Sequence, residues 1–544
     1  MVDRYLQITW IIAIFSLFYI FMLVSGKKRI WYYLLPFFVF TGMIILRTGV
    51  FNLYTFVDSD MTAHQGIINM MLDRNLFRYD AEMQFFWKIF PRGYYIILLP
   101  FVLMGIPAMV ISKLLGLLSG LLIPFLLYRL ALVVYAEKRT AYFCALFSYT
   151  LIPLYEVSFS GTPRTIGIIL YLLALISLFK YLKDRSLFSL FCLGIFMLLI
   201  FHVHQVSFVL LVIPVATFLT LYLIRNVKRK KSFLFSLLVI LSLGLIMALF
   251  ISYLINKFSF LDFSNRIFII KDAELLIRNS DFLITLPGML KEIGILPICF
   301  IIFYAVLRKV QKTGKYPLQN DFFIVSIFLF FFTFLAIQFE AFFSVLAYRY
   351  PPFLALFFYF TGLPIVVNMI LDRCLRKKII LLVIIAFSLI PTISYVHKRL
   401  WWWVYPYGYH RLVQVYPKPK INFQDDIKWS KELFAVGSYL GNNTPIDTVI
   451  ACPMWCGDLI RLYSKRNVTS SWKIGGSARV SKKAGYIYRE YVDNSKKLYN
   501  DPDYLYRKYN ASYFVFDKSA PGLLKAPGAE VFATENLKVV KIME

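Results

Sequence analysis

Residues 201–231 read FHVHQVSFVLLVIPVATFLTLYLIRNVKRKK. The stretch from Val206 to Ile224 contains no charged side chain and is close to the ~20 residues a helix needs to cross the hydrocarbon of a bilayer. A cluster of bases, Arg225 to Lys231, follows it, and a tight turn carrying His202, His204 and Gln205 precedes it. Basic flanks stay on the cytoplasmic side of a membrane helix. The segment is therefore predicted to span the membrane with its histidine turn facing outward.

The pattern repeats in both directions. Apolar runs occur at Ile8 to Val24, Trp31 to Leu46, Leu114 to Val134, Ala141 to Leu154, Ile166 to Phe179 and Leu187 to Phe201. They continue at Phe233 to Leu254, Ile293 to Leu307, Phe322 to Ile337, Phe353 to Ile370 and Ile379 to Ile393. The sequence predicts about 12 to 13 crossings, depending on whether Tyr94 to Ser112 spans alone; Pro100, Gly105 and Pro107 favour a broken or shallow segment there. Ile8 to Val24 reads as a retained helix, being long for a signal-peptide core. Composition agrees: the 544-residue chain is 59% hydrophobic and only 16% charged, against roughly 45–50% and 25% for soluble domains.

The net charge of +29 would suggest nucleic acid in a soluble protein. Here the bases fall in loops: Lys27-Lys28-Arg29, Lys138-Arg139, Lys180 to Arg185, Arg225 to Lys231, Arg308 to Lys315 and Arg373 to Lys378. With one crossing between Arg92 and Lys138, all six share the cytoplasmic side, and no nucleic-acid partner is expected. The predicted organisation is a polytopic α-helical membrane domain over 1–396, with outer loops at 49–92 and 256–291. An extracytoplasmic α/β domain occupies 397–544. In that domain Asp425 to Leu440 has helical spacing, Thr448 to Cys452 and Ser512 to Phe516 read as strands, and Val531 to Ile542 as one or two more. Cys452 and Cys456 make a disulfide chemically possible.

The first outer loop concentrates the chemistry. Asp58 and Asp60, followed by His64, place two carboxylates and an imidazole where they can bind a cation or take a proton from a hydroxyl. A solvated loop ending in a helix cap fits the same residues. Arg92, Tyr94 and Tyr95 stand where the chain re-enters the membrane, a place equally suited to interfacial anchors. His202 and His204 can bind phosphate or metal, or serve as structural helix-end residues. Arg349, between Tyr348 and Tyr350, is suited to a lipid-borne phosphate.

In their order along the chain these features resemble the GT-C glycosyltransferases, polytopic enzymes that take sugars from polyprenyl-phosphate or polyprenyl-diphosphate carriers. The resemblance rests on Asp58-Ser59-Asp60 with His64, on Pro91-Arg92-Gly93-Tyr94-Tyr95, on Lys138-Arg139 leading into Ala141 to Pro153, on His202 and His204, and on the late Arg349. It extends to Leu440 to Ile450, Arg461 to Arg466 and Tyr506 to Asp517, which are similar to soluble domains of that family and of oligosaccharyltransferase catalytic subunits. Two departures matter. Where oligosaccharyltransferases carry Trp-Trp-Asp-Tyr-Gly, this chain has Met454-Trp455-Cys456-Gly457-Asp458, and Ser160 to Arg164 holds a base where they have acids.

The resemblance thus implies a GT-C fold in the plasma membrane and inverting transfer of a sugar to a glycan, lipid or protein acceptor on the outer face. It implies Asp58 or Asp60 as catalytic base, with His64, Arg92, Tyr94, His202, His204 and Arg349 around substrate and phosphate. No metal is obligatory; if Mg2+ or Mn2+ binds, Asp58, Asp60 and His64 would hold it. A flippase for lipid-linked sugars and an inactive GT-C-like scaffold are the rivals. No repeat of about 20–50 residues is visible, which weighs against transporters built from related halves.

Overall fold

The computed structural model describes residues 60–73, 75–135, 137–146, 148, 161–226, 321, 324–329, 356–357, 423–471, 482–518 and 528–542. The elements in chain order are α1 (Asp60–Leu72), α2 (Ala81–Ile89), α3 (Gly93–Leu103), α4 (Ala108–Tyr135), α5 (Lys138–Leu146), α6 (Pro163–Asp184), α7 (Leu187–Val203), α8 (Gln205–Asn226), α9 (Phe423–Asn443), β1 (Val449–Ala451), α10 (Gly457–Ser464), β2 (Asn467–Val468), α11 (Lys482–Asn500), α12 (Pro502–Tyr509), β3 (Ala511–Asp517), β4 (Ala529–Ala533) and β5 (Leu537–Lys541). The chain forms two compact units. The first comprises Met1–Thr48, Leu115–Ser264 and Ile270–Leu400; the second comprises Gly49–Leu114, Asn265–Ile269 and Trp401–Glu544.

Among the described residues, three helices are long and apolar enough to cross a membrane, Val110–Tyr135, Pro163–Asp184 and Gln205–Tyr222. Leu187–Val203 is a shorter apolar helix between the last two. Phe188, Phe191, Ile195 and Leu198 are all exposed on α7, a stripe at three- and four-residue spacing that water would not tolerate and lipid would. The other predicted crossings lie wholly or largely outside the described residues.

In the first unit, α6, α7 and α8 pack together. Thr162 and Thr165 form a reciprocal cap at the start of α6, and Pro163 takes the first turn, where its missing N–H costs nothing. Arg185 ends α6 in a left-handed conformation. The Tyr171 hydroxyl of α6 donates to the Leu210 carbonyl of α8 at 3.3 Å, satisfying a polar group within an apolar interior.

In the second unit, a five-stranded sheet runs β2-β1-β3-β5-β4. Strand β1 is parallel to β2 and β3, whereas β5 is antiparallel to β3 and β4. Alternation along β3 explains the layering. Tyr513 and Val515 face one core with Leu433, Val436 and Leu440 of α9; Phe514 and Phe516 face the other with Leu498 of α11 and Leu505 of α12. Glu432 ties α9 to the β4–β5 turn, accepting from Asn536 N at 2.9 Å and Nδ2 at 2.8 Å. The strands expected near 448–452, 512–516 and 531–542 are thus present, the last as a hairpin. Cys452 and Cys456 are buried free thiols.

Close packing of α9 on α10 depends on Gly437, where a Cβ would overlap that of Tyr463. Gly437→Ala is expected to cost about 1–3 kcal/mol through this overpacking. Native-state hydrogen exchange should show the loss in α9 and α10, with α6 to α8 unchanged.

Candidate functional site

Asp60 is the first residue of α1, and His64 lies one turn further along. The His64 imidazole is buried. Its Nδ1 is 2.8 Å from the Tyr95 hydroxyl on α3, and its ring centre is 5.0 Å from that of Phe90 and 5.7 Å from that of Tyr94. The Tyr94 hydroxyl in turn lies 3.3 Å from Ser112 Oγ. The acidic loop and the Pro-Arg-Gly-Tyr-Tyr segment, separate in sequence, thus meet at a histidine in an aromatic cage. His64 fixes the geometry of α1 rather than standing in solvent.

Arg92 sits 3.6 Å above the Trp87 ring centre, and its guanidinium donates to the Trp87 carbonyl. This cation–π seat holds the side chain at the sharp bend between α2 and α3. Asp58 and Arg349 lie outside the described residues. Among the described residues, no group of three or more His, Cys, Asp or Glu is arranged to hold a metal ion.

A second buried cluster joins the same loop to the C-terminal domain. Asp80 caps α2, its carboxylate accepting from Met83 N at 2.9 Å, a standard role for Asp at that position. The same carboxylate accepts from Arg461 Nη1 of α10 at 3.2 Å. That nitrogen also donates to Glu82 Oε2 at 2.7 Å, while Nη2 donates to Asp458 Oδ1 at 2.6 Å. The Tyr491 hydroxyl of α11 donates to Asp80 Oδ1 and accepts from Glu82 N, both at 3.3 Å. Asp80 and Glu82 are 0% exposed and Arg461 1%. One buried guanidinium therefore faces three carboxyl groups. Nearby, Tyr79 N donates to Asn467 Oδ1 at 3.1 Å.

Burial pushes the Glu82 carboxyl up to about 7; Arg461 opposes that rise, and Asp458 and Asp80 add to it. Burial works against the charge on Arg461, but Asp80, Glu82 and Asp458 more than offset it and hold the guanidinium firmly protonated. Ser471 opposes the rise at Glu82 as well.

The turn Met454-Trp455-Cys456-Gly457-Asp458 follows β1. Cys456 Sγ points to the Pro453 carbonyl at 3.3 Å. A Cβ on Gly457 would overlap the Ser470 carbonyl, so no larger residue fits without moving backbone. Asp458 is held by Arg461 and by Ser471 Oγ at 2.7 Å. The acid of this motif thus serves the internal ion cluster.

In the other unit, His204 ends α7 and caps α8. Its Nδ1 accepts from Ser207 N at 3.2 Å and lies 2.7 Å from Ser207 Oγ. Gly167 of α6 leaves room for this pair, since a Cβ there would stand 3.0 Å from Ser207 Oγ and 3.1 Å from His204 Cβ. His202 is exposed, with its ring edge-on to Phe201. The two histidines therefore occupy different environments, His204 buried at a helix cap and His202 exposed.

Asp80, Glu82 and Tyr491 match no motif in the sequence, and the motifs that contain Asp458 and Arg461 do not reveal an ion cluster. The pair Asp458 and Arg461, three apart on one helix, was the available local signal. Its partners stand 379 and 381 residues away and carry no local signature beyond a helix cap.

No protein-family model matches the chain, and no curated protein matches it.

Proposed function

We propose that this protein is an inverting glycosyltransferase of GT-C type that moves a sugar from a polyprenyl-phosphate carrier to an acceptor on the extracytoplasmic side of the membrane. The observation that supports the reading best is the union of two motifs: the helix opened by Asp60 is fixed to the Pro91–Tyr95 segment through His64 and Tyr95, 2.8 Å apart. A rigid mount is what a general base needs, because proton transfer requires the carboxylate within hydrogen-bond reach of the attacking hydroxyl.

In this mechanism Asp58 or Asp60 takes the proton of the acceptor hydroxyl as its oxygen attacks the anomeric carbon from the face opposite the lipid phosphate. The bond to the phosphate oxygen breaks with inversion, and Arg349 and Arg92 offset the charge that develops on it. His204, whose Nδ1 caps α8 through Ser207, is assigned with them to the phosphate. The energy resides in the sugar–phosphate bond, so no nucleotide is needed. The acid of the Trp455-Cys456-Gly457-Asp458 turn is committed to Arg461, which favours a hydroxyl acceptor over an Asn-x-Ser/Thr peptide.

Reconstituted protein with labelled polyprenyl-phosphate sugar and a membrane extract as acceptor source tests the reading. Release of free polyprenyl phosphate together with a labelled product is expected. Label that crosses the vesicle membrane with its donor intact would instead identify a transporter.

A further inference from the structure

We propose that Arg461 is a positioning residue: its guanidinium, held by Asp80 and Glu82 on one side and Asp458 on the other, locks the loop that carries Asp58, Asp60 and His64 onto the C-terminal domain. As a statement about catalysis this rests on the glycosyltransferase reading. As a statement about structure it does not.

The geometry carries the proposal. Contacts from the C-terminal domain bracket the start of α2: Asn467 holds Tyr79 N, Arg461 holds Asp80 and Glu82, and Tyr491 bridges the Asp80 carboxylate and the Glu82 backbone. Helix α1 packs on α10 and α2 on α11, so the catalytic loop is clamped from two helices at once. The guanidinium, Asp80, Glu82 and Tyr491 are all buried, with only Asp458 part-exposed, so solvent is a poor substitute for a lost partner. Such a clamp is all-or-none: Asp80 cannot leave Arg461 without leaving its own cap and Tyr491.

The clamp also has a built-in dependence on acidity. Arg461 supplies one positive charge against the carboxyls of Asp80, Glu82 and Asp458, with Tyr491 as the remaining titratable neighbour. The cluster is closest to balance when Glu82 keeps its proton. Its folded-state value of about 7 exceeds the 4.5 of an ordinary Glu, so between those values the folded state holds a proton the unfolded chain has lost. Stability of the clamp therefore falls as pH rises from about 4.5 to about 7 and levels off above that.

Hydrogen–deuterium exchange on the full-length protein in nanodiscs tests this without relying on transfer. In wild type, protection factors of peptides covering 81–89 should fall at least about tenfold between pH 5.5 and pH 8, a tenfold change being one pKa unit. Glu82→Gln, which mimics the protonated carboxyl, should abolish that slope. Arg461→Met should lower protection of the same peptides about a hundredfold or more, leaving α6 to α8 within twofold. Unchanged protection in Arg461→Met, or a wild-type slope retained in Glu82→Gln, would overturn the clamp. If Arg461→Met does not fold, the Glu82→Gln slope decides alone. A clamp signature in a protein that transfers no sugar would count against the glycosyltransferase reading only.

Discussion

Arg461→Met is expected to destabilise the C-terminal unit by about 3–5 kcal/mol, the range for removing one partner of a buried ion pair. Asp80 and Glu82, both 0% exposed, would be left without a counter-charge, and Asp458 would lose its partner at 2.6 Å. Methionine fills comparable volume, so the loss is electrostatic rather than a cavity. The effect should grow with pH, because ionising a carboxyl with no cation beside it costs more than ionising one that has it. The combined variant Arg461→Met, Asp80→Asn, Glu82→Gln neutralises the two fully buried carboxyls along with the guanidinium, leaving only the part-exposed Asp458 charged, and should recover much of the loss, since neutral replacements of buried ion pairs are often tolerated. Thermal unfolding of the purified single and triple variants measures both effects. A single variant as stable as wild type would mean that the guanidinium is not the keystone of the cluster.

Replacing Asp58 and Asp60 together by asparagine is expected to lower the transfer rate by 10²- to 10⁴-fold, the usual contribution of a general base. Asparagine keeps the size of the carboxylate and cannot take a proton. Donor binding should change by less than about threefold, because the role assigned to these residues is toward the acceptor hydroxyl and the phosphate is assigned to Arg349 and Arg92. The signature is thus a fall in kcat with little change in donor KM. The single variants tell which of the two is the base. Asp60 opens α1, one helical turn before the caged His64.

The membrane character and the C-terminal sheet were legible because both rest on local periodicity. Long uninterrupted apolar runs mark α4, α6 and α8, and the short apolar run Tyr513 to Phe516 marks β3 as a buried strand. Helix α11 is hard to read because Lys482 to Asn500 is rich in tyrosine and lysine, and its buried face mixes Ile487, Tyr491 and Leu498 with the polar Asn494 and Ser495. The acidic loop was readable as a candidate, whereas the contact of its His64 with Tyr94 and Tyr95 is visible only in the fold. What could not be read was that Asp80, which locally is a helix cap, also closes an ion cluster with a helix hundreds of residues away. A side chain with two roles shows only the local one in sequence. At His204 the helix-end position is likewise seen as a cap, of α8 through Ser207.

The most direct test of the glycosyltransferase assignment is the anomeric configuration of the product formed from a polyprenyl-phosphate sugar of known configuration, read by NMR after reaction with the reconstituted protein. The mechanism predicts a product of opposite configuration from wild type and essentially none from the Asp58→Asn, Asp60→Asn variant. A product of retained configuration, or undiminished product from that variant, would contradict it.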